Sequence, residues 1–191
     1  METSAGRVSV DSYNREMMHG KTIVLSLGVL LMTLITVSSC ATPHDSGPSV
    51  GSQVGNRAPG FNLVDLKGKA VSLADFQGKP LLINFWTTWC SPCRREMPYL
   101  QEVYEEWSDK GLSMLVINLR ESPSTVKEFL STNGLFLPIL LDSTGRVSDN
   151  YGIISIPTTF FIDGDGIIRQ KAVGTFPSLE AIVEKLHSIM P

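Results

Sequence analysis

Cysteine, histidine and positive charge are all scarce in this sequence, and the shortages exclude several classes of protein. Three cysteines in 191 residues are too few for a disulfide-stabilised scaffold. No second cysteine pair is present to complete a four-thiolate zinc site. With 16 basic against 19 acidic residues the net charge is −3, whereas nucleic-acid-binding proteins present a basic face. We therefore expect neither a nucleic-acid partner nor a metal site.

The sequence also lacks a long apolar run. The apolar stretch over residues 23–37 is diluted by serine, glycine and threonine, and a membrane-spanning helix needs about 20 predominantly apolar residues. A short polar stretch with a cation precedes it and small residues follow it, which is the order found in signal peptides. We predict a leader over residues 1–39, with Met17 or Met18 as an alternative start. An uncleaved membrane anchor is the competing interpretation.

Cys40 directly follows this stretch. The segment Val37-Ser38-Ser39-Cys40 resembles the bacterial lipoprotein box, in which the cysteine sulfur receives a diacylglyceryl group and becomes the mature N-terminus. Two or more acyl chains hold a protein on a membrane durably. We therefore predict that Cys40 is lipidated and anchors an extracytoplasmic protein, on the outer face of the cell membrane or in the periplasm.

The stretch after Cys40 is rich in proline, glycine and serine. Such a composition buries little apolar surface, so residues 40–57 are predicted to form a flexible tether. The folded domain is predicted over residues 58–191. Its apolar pattern indicates strands alternating with helices, followed by a hairpin and a last helix over residues 178–190. This order predicts an α/β fold with a mixed central sheet, helices on both faces and a hairpin at the N-terminal end.

Two cysteines, Cys90 and Cys93, lie between a predicted buried strand (residues 81–86) and an amphipathic helix. The first cysteine of such a pair lies at the helix N-terminus, where unpaired N–H groups and the macrodipole stabilise an anion. This placement lowers a thiol pKa from about 8.5 to between about 3.5 and 7.5. Cys90 is therefore predicted to attack a partner's disulfide, and Cys93 to resolve the mixed disulfide. The pair would form a redox-active disulfide and the enzyme would need no other cofactor.

The sequence around the pair, NFWTTWCSPCRREMP over residues 84–98, resembles the thioredoxin superfamily, and most of all its extracytoplasmic TlpA/ResA-like branch of thiol–disulfide oxidoreductases. The resemblance extends from Ala58 to the C-terminal end. It includes APGF at residues 58–61, GKP at 78–80 and IPTTF at 156–160. It implies a thioredoxin-like fold with an insertion between the first βα unit and the strand that carries the cis-proline.

The resemblance also implies roles for individual residues. Pro157 would be the cis-proline facing the disulfide, since an X–Pro bond is the peptide bond at which cis is least costly. Ile156 and Thr158 beside it would bind the substrate backbone. Trp89 would cover one edge of the site, and Trp86 would belong to the core.

A buried acid found on the strand in thioredoxins is absent here, because Asn84 occupies that position. Glu96 matches an acid of the TlpA/ResA-like branch and lies one helical turn beyond Cys93. We predict that Glu96 accepts and donates protons at the Cys90/Cys93 pair. The alternative is that Glu96 is an exposed glutamate on the helix surface.

Other functions compete with this interpretation. A peroxiredoxin needs the pattern Pro-x-x-x-Thr-x-x-Cys, and Thr87 fits it while Ile83 stands at the proline position. A metal- or heme-delivery lipoprotein would need ligand histidines near the motif, but the three histidines are His19, His44 and His187.

The resemblance favours reduction over oxidation. The expected partners are protein disulfides or dithiols, such as the heme-binding cysteines of apocytochrome c, and a transmembrane electron donor.

Overall fold

Seven β-strands form one sheet in the computed structural model of the protein, which describes residues 47–190. The strands are β1 (Asn62–Asp65), β2 (Ala70–Ser72), β3 (Leu81–Trp86), β4 (Ser113–Leu119), β5 (Ile139–Asp142), β6 (Thr158–Ile162) and β7 (Ile168–Val173). Their order across the sheet is β2-β1-β5-β4-β3-β6-β7. Strands β3, β4 and β5 are parallel, and the other neighbours pair antiparallel. The predicted mixed sheet with an N-terminal hairpin is confirmed.

Within the described part of the chain, four α-helices accompany the sheet: α1 (Ser91–Trp107), α2 (Pro123–Asn133), α3 (Arg146–Asn150) and α4 (Leu179–Leu186). The Ser122 side chain accepts a hydrogen bond from the Thr125 N–H at the start of α2. Gly134 ends the same helix in the left-handed conformation, at φ 62°. Elements β4, α2, β5 and α3 fill the stretch between the first βα unit, β3–α1, and the strand β6.

Strand β3 lies near the middle of the sheet, and all six of its residues are buried. Leu82 and Trp86 point into the cluster that includes Met97 and Leu100 of α1, whereas Phe85 points into the cluster on the opposite face. A strand covered on both faces is predominantly apolar, which explains the sequence of β3, where Asn84 is the one polar residue. β3 therefore carries the chain out of the core directly into the cysteine motif.

Two local features differ from the sequence-based expectation. A 3-10 turn over Leu73–Phe76 was not predicted; the Ser72 N–H donates to the Asp75 carboxylate there at 2.8 Å. The last helix ends at Leu186 rather than at residue 190, because the N–H groups of Ile189 and Met190 both donate to the Leu186 carbonyl and tighten the chain into a turn.

The segment before residue 58 is hydrogen-bonded where the structure describes it. The Arg57 N–H donates to the Ser49 carbonyl at 2.9 Å, and the Ile168 N–H donates to the Asn56 carbonyl at 2.9 Å. The Gly55 N–H donates back to the Ile168 carbonyl at 2.8 Å. Residues 49–57, which the sequence assigns to the flexible tether, therefore take part in backbone hydrogen bonding, and part of this segment covers the free backbone edge of β7.

The leader, the alternative starts Met17 and Met18, and Cys40 lie outside the described residues. Within residues 47–190, no helix has the length and apolar character needed to cross a membrane.

Candidate active site

Cys90 and Cys93 form a disulfide at the N-terminus of α1, with their Cα atoms 5.3 Å apart. Cys90 is the N-cap residue of α1, and its Sγ accepts a hydrogen bond from the Cys93 N–H at 3.2 Å. Pro92 occupies the first turn, where its missing N–H leaves no intrahelical bond unmade. Cys90 is 5% exposed and Cys93 is fully buried, so a reactant reaches Cys90 first.

The peptide bond between Ile156 and Pro157 is cis, as expected, and lies against the disulfide. Cys90 Sγ is 3.8 Å from the Ile156 carbonyl oxygen. The Thr158 hydroxyl donates to the Ser155 carbonyl at 2.7 Å, and its side chain is 2% exposed. Thr158 therefore holds the loop with its side chain, and its backbone is paired with Phe85 of β3 and Val173 of β7 in the sheet.

Trp89 and Ile156 line a groove of about 350 Å³ beside the disulfide. The Trp89 side chain is 71% exposed and Ile154, on the same groove, is fully exposed. Trp86, three residues before Trp89, is instead buried in the core against Phe129, with ring centroids 5.2 Å apart. Trp86 thus belongs to the core, whereas Trp89 belongs to the surface around Cys90.

Glu96 is fully buried on α1, one turn beyond Cys93. Its Oε1 accepts a hydrogen bond from Asn84 Nδ2 at 2.8 Å, and its Oε2 accepts one from the Phe176 N–H at 3.0 Å. Burial raises the pKa of Glu96 to about 7, and the hydrogen bonds from Phe176 and Asn84, with a weaker one from Thr175, oppose that rise. A carboxyl group with such a pKa exchanges protons readily near neutral pH.

Glu121 is a site residue that the sequence did not indicate. Its carboxylate accepts hydrogen bonds from the Thr88 N–H at 2.7 Å, the Thr88 hydroxyl at 2.6 Å and Asn118 Nδ2 at 2.7 Å. Arg120, just before it, has φ 57°, a conformation that turns the chain sharply at the end of β4. Glu121 thereby holds the loop that leads into Cys90, although Glu121 lies 33 residues after Thr88 in the sequence.

The two arginines after the cysteines lie on the outside of α1. The Arg94 guanidinium carbon is 5.9 Å from the centre of the Phe129 ring, and Arg95 donates to the Ser91 hydroxyl at 3.2 Å. Both groups have partners away from Glu96.

No group of three potential metal-ligating side chains is present among residues 47–190. His187 packs edge-on against Trp107 with ring centroids 6.1 Å apart. Ile83, at the position where a peroxiredoxin has proline, is a fully buried strand residue. His19, His44 and Cys40 lie outside the described residues.

Comparisons with known proteins agree with this geometry. Residues 54–171 match the model of the AhpC/TSA family. The thiol–disulfide oxidoreductase ResA of Bacillus thuringiensis is 39% identical over 139 residues, which is 73% of this chain and 80% of that protein.

Among solved structures, a thiol:disulfide interchange protein of the thioredoxin family from Chlorobium tepidum has a TM-score of 0.63 at 31% identity, covering 71% of this chain and 96% of that one. The pneumococcal exposed lipoprotein thioredoxin of Streptococcus pneumoniae has a TM-score of 0.58 at 30% identity, covering 69% of this chain and all of that one. The fold is therefore thioredoxin-like, as predicted. The chain belongs to the AhpC/TSA family and is a thiol–disulfide oxidoreductase related to ResA.

Proposed function

We propose that this protein is a membrane-tethered reductant of disulfides in extracytoplasmic proteins, with Cys90 as the attacking thiol. The observation that carries the proposal is the position of Cys90 Sγ. It accepts the Cys93 N–H, lies 3.8 Å from the Ile156 carbonyl and keeps some exposure, whereas Cys93 has none. An N–H aimed at the sulfur and the helix N-terminus both stabilise a thiolate.

The reaction begins with the reduced enzyme. The Cys90 thiolate attacks one sulfur of the substrate disulfide, that S–S bond breaks, and the first substrate thiolate leaves. Cys93 then attacks the Cys90 sulfur of the mixed disulfide and releases the second substrate thiolate. The substrate gains two electrons, the enzyme ends as the Cys90–Cys93 disulfide, and a transmembrane electron donor must return two electrons before the next cycle.

Glu96 is the proposed proton acceptor for Cys93. A buried thiol attacks only after it loses its proton, and Glu96 is buried on the same helix one turn away. Its pKa of about 7 makes the carboxylate available near neutral pH. In this role Glu96 takes the proton from the Cys93 thiol and later passes it to the departing substrate thiolate.

The substrate is proposed to lie across Trp89 and the Ile156-Pro157-Thr158 loop. Pro157 has no N–H, so a substrate backbone beside it pairs with the neighbouring peptide groups. The exposed face of Trp89 offers apolar contact beside the substrate cysteine.

Cys40 is the proposed lipid anchor. Support comes from the order of leader, apolar core and lipoprotein box in the sequence, and from the likeness to a protein described as an exposed lipoprotein thioredoxin. The resemblance of residues 84–98 to the TlpA/ResA-like branch is the ground for proposing apocytochrome c as one client.

Trapping of mixed disulfides tests the reaction. In Cys93→Ser the first attack proceeds and resolution does not, so disulfide-linked substrate accumulates on Cys90. Cys90→Ser is the matched control and should trap nothing. Trapping through Cys93 in that control would contradict the assignment.

Equilibration with glutathione tests the direction. A reductant is expected to have a potential below about −200 mV, whereas a value near −120 mV would identify an oxidant. Labelling with radioactive fatty acid tests the anchor: the wild type should incorporate label and Cys40→Ser should not.

A further inference from the structure

Asn84 connects the buried acid of α1 to the strand that follows the cis-proline. Its Nδ2 donates to Glu96 Oε1 at 2.8 Å and also to the Thr159 hydroxyl oxygen at 2.9 Å. Thr159 lies on β6 two residues after Pro157, and Asn84 and Thr159 are register partners across the β3–β6 pair. Asn84, Glu96 and Thr159 all have 0% exposure. The amide is thus a buried bridge between both sides of the active site.

The other end of the same amide is unsatisfied. Asn84 Oδ1 is buried and has no hydrogen-bond partner among residues 47–190. A buried acceptor without a donor costs about 1–3 kcal/mol, so a state in which Oδ1 accepts a hydrogen bond would recover that cost. Both side chains that Asn84 contacts can act as hydrogen-bond donor or acceptor. The Glu96 carboxyl group accepts hydrogen bonds when it is ionised and can donate one when it is protonated, and the Thr159 hydroxyl group can do either.

We propose that Asn84 is a positioning residue that sets the proton affinity of Glu96, and that its side-chain amide reverses when Glu96 takes up a proton. With Glu96 ionised, Nδ2 faces the carboxylate and the Thr159 hydroxyl, as observed. With Glu96 protonated, Oδ1 faces both groups and accepts a hydrogen bond from each O–H. The inference rests on the proposed role of Glu96 as proton acceptor, since Asn84 acts through that residue.

Among residues 47–190, no charged side chain is hydrogen-bonded to Glu96. The groups that face Glu96 are Asn84 from β3 and the Phe176 N–H with the Thr175 side chain from the loop between β7 and α4. On α1 itself, Arg94 and Arg95 are engaged with Phe129 and Ser91.

The charged groups of the neighbouring helix α4 also point elsewhere. Glu180 and Glu184 are exposed, and Lys185 donates to Gln170. Cys93, one helical turn before Glu96, carries no proton while it is in the disulfide. In the oxidised enzyme, burial raises the pKa of Glu96 and hydrogen bonds from neutral groups oppose this rise. Among these donors, Asn84 also binds Thr159 on β6.

The consequence for the enzyme is a link between proton transfer and the substrate-binding loop. Whichever way the amide points, it stays bound to Thr159, so a change in the ionisation of Glu96 is transmitted to β6 next to Pro157. A strand carboxylic acid would instead add a second titrating group beside Glu96 and couple the two ionisations.

The test measures the ionisation of Glu96 directly, without turnover. In the oxidised full-length protein, the side-chain carboxyl carbon of Glu96 is followed by NMR as a function of pH, with Glu96→Gln identifying its resonance. Asn84→Leu removes both the donor and the acceptor and should raise the pKa of Glu96 by about 1, because the hydrogen bond lost from the ionised carboxylate is stronger than the one lost from the protonated acid. An unchanged pKa in Asn84→Leu overturns the inference.

The matched control is Asn118→Leu. Asn118 is also fully buried, also donates to a carboxylate and also has an unpartnered Oδ1, but its partner is Glu121. This substitution should leave the pKa of Glu96 unchanged; an equal rise in both variants would show a general effect of core disruption and contradict the specific role.

A measurement on the wild type covers the case in which Asn84→Leu does not fold. The side-chain amide nitrogen of Asn84 should titrate with the same midpoint as Glu96 and should stop titrating in Glu96→Gln. An amide resonance that is constant across the titration overturns the reversal. Because neither readout requires substrate, their failure is distinct from failure of the Cys93→Ser trapping experiment, which tests the function itself.

Discussion

The buried carboxylate of Glu96 accepts a hydrogen bond from the backbone N–H of Phe176, 80 residues later in the chain, at 3.0 Å. This bond joins the active-site helix α1 to the loop between β7 and α4. The same carboxylate is held from β3 by Asn84. An acid fixed from two sides keeps one geometry relative to Cys93, and burial gives it a pKa near neutrality.

Stability should depend on pH through Glu96. Its pKa is about 7 in the folded protein against 4.5 for an ordinary glutamate, so the folded state holds its proton more tightly than the unfolded state. Its contribution is fully present below pH 4.5 and is lost as the pH rises through about 7. Denaturant unfolding of the oxidised wild type, measured relative to Glu96→Gln, should show a loss of about 3 kcal/mol across this window.

Glu102→Gln is the control for this measurement, since Glu102 lies exposed on the same helix. The difference between wild type and Glu102→Gln should stay constant with pH. A wild type whose stability relative to Glu96→Gln is independent of pH would rule out the raised pKa.

The two tryptophans flanking the motif should separate stability from substrate binding. Trp86→Ala creates a cavity in the core and should cost about 3–5 kcal/mol in the free energy of unfolding. Trp89→Ala should cost less than about 0.5 kcal/mol, because its side chain is 71% exposed. For a protein disulfide substrate, Trp89→Ala should raise KM with little change in kcat. Large destabilisation by Trp89→Ala, or an unchanged KM, would contradict the assignment.

Glu121 should stabilise the loop before Cys90. Glu121→Ala removes the acceptor for the Thr88 N–H, the Thr88 hydroxyl and Asn118, and should lower the free energy of unfolding by about 2–3 kcal/mol. Glu128→Ala, an exposed glutamate on α2, is the matched control and should change stability by less than about 0.5 kcal/mol. Equal effects of the two substitutions would show that the three hydrogen bonds contribute nothing to stability.

The reduced cysteines should react at different rates. Cys90 is slightly exposed, at 5%, and lies at the helix N-terminus, whereas Cys93 is fully buried, so iodoacetamide should modify Cys90 at least about ten times faster. Mass spectrometry of peptides after brief labelling measures the ratio. Equal labelling, or preferential labelling of Cys93, would reverse the order of attack proposed here.

The sequence predicted the architecture because most of its signals are local. The apolar run of β3, interrupted only by Asn84, is explained by burial on both faces, and Ser122 with Pro123 marked the start of α2 as observed. The sequence pattern does not predict the hydrogen-bonded order of residues 49–57, for a physical reason. This order comes from backbone hydrogen bonds to β7, which any polar sequence can make and which leave no pattern in side chains.

The sequence by itself determined the chemistry: two cysteines spaced to open a helix after a buried strand, with an acid one turn later. Only the tertiary structure decided what surrounds them. The Glu96 contacts with Phe176 and Asn84, and the Glu121 contacts with Thr88, join residues separated by 12 to 80 positions. A helix or a cap follows from neighbouring residues, but the burial that raises the pKa of Glu96 exists only after the strands and helices have packed together.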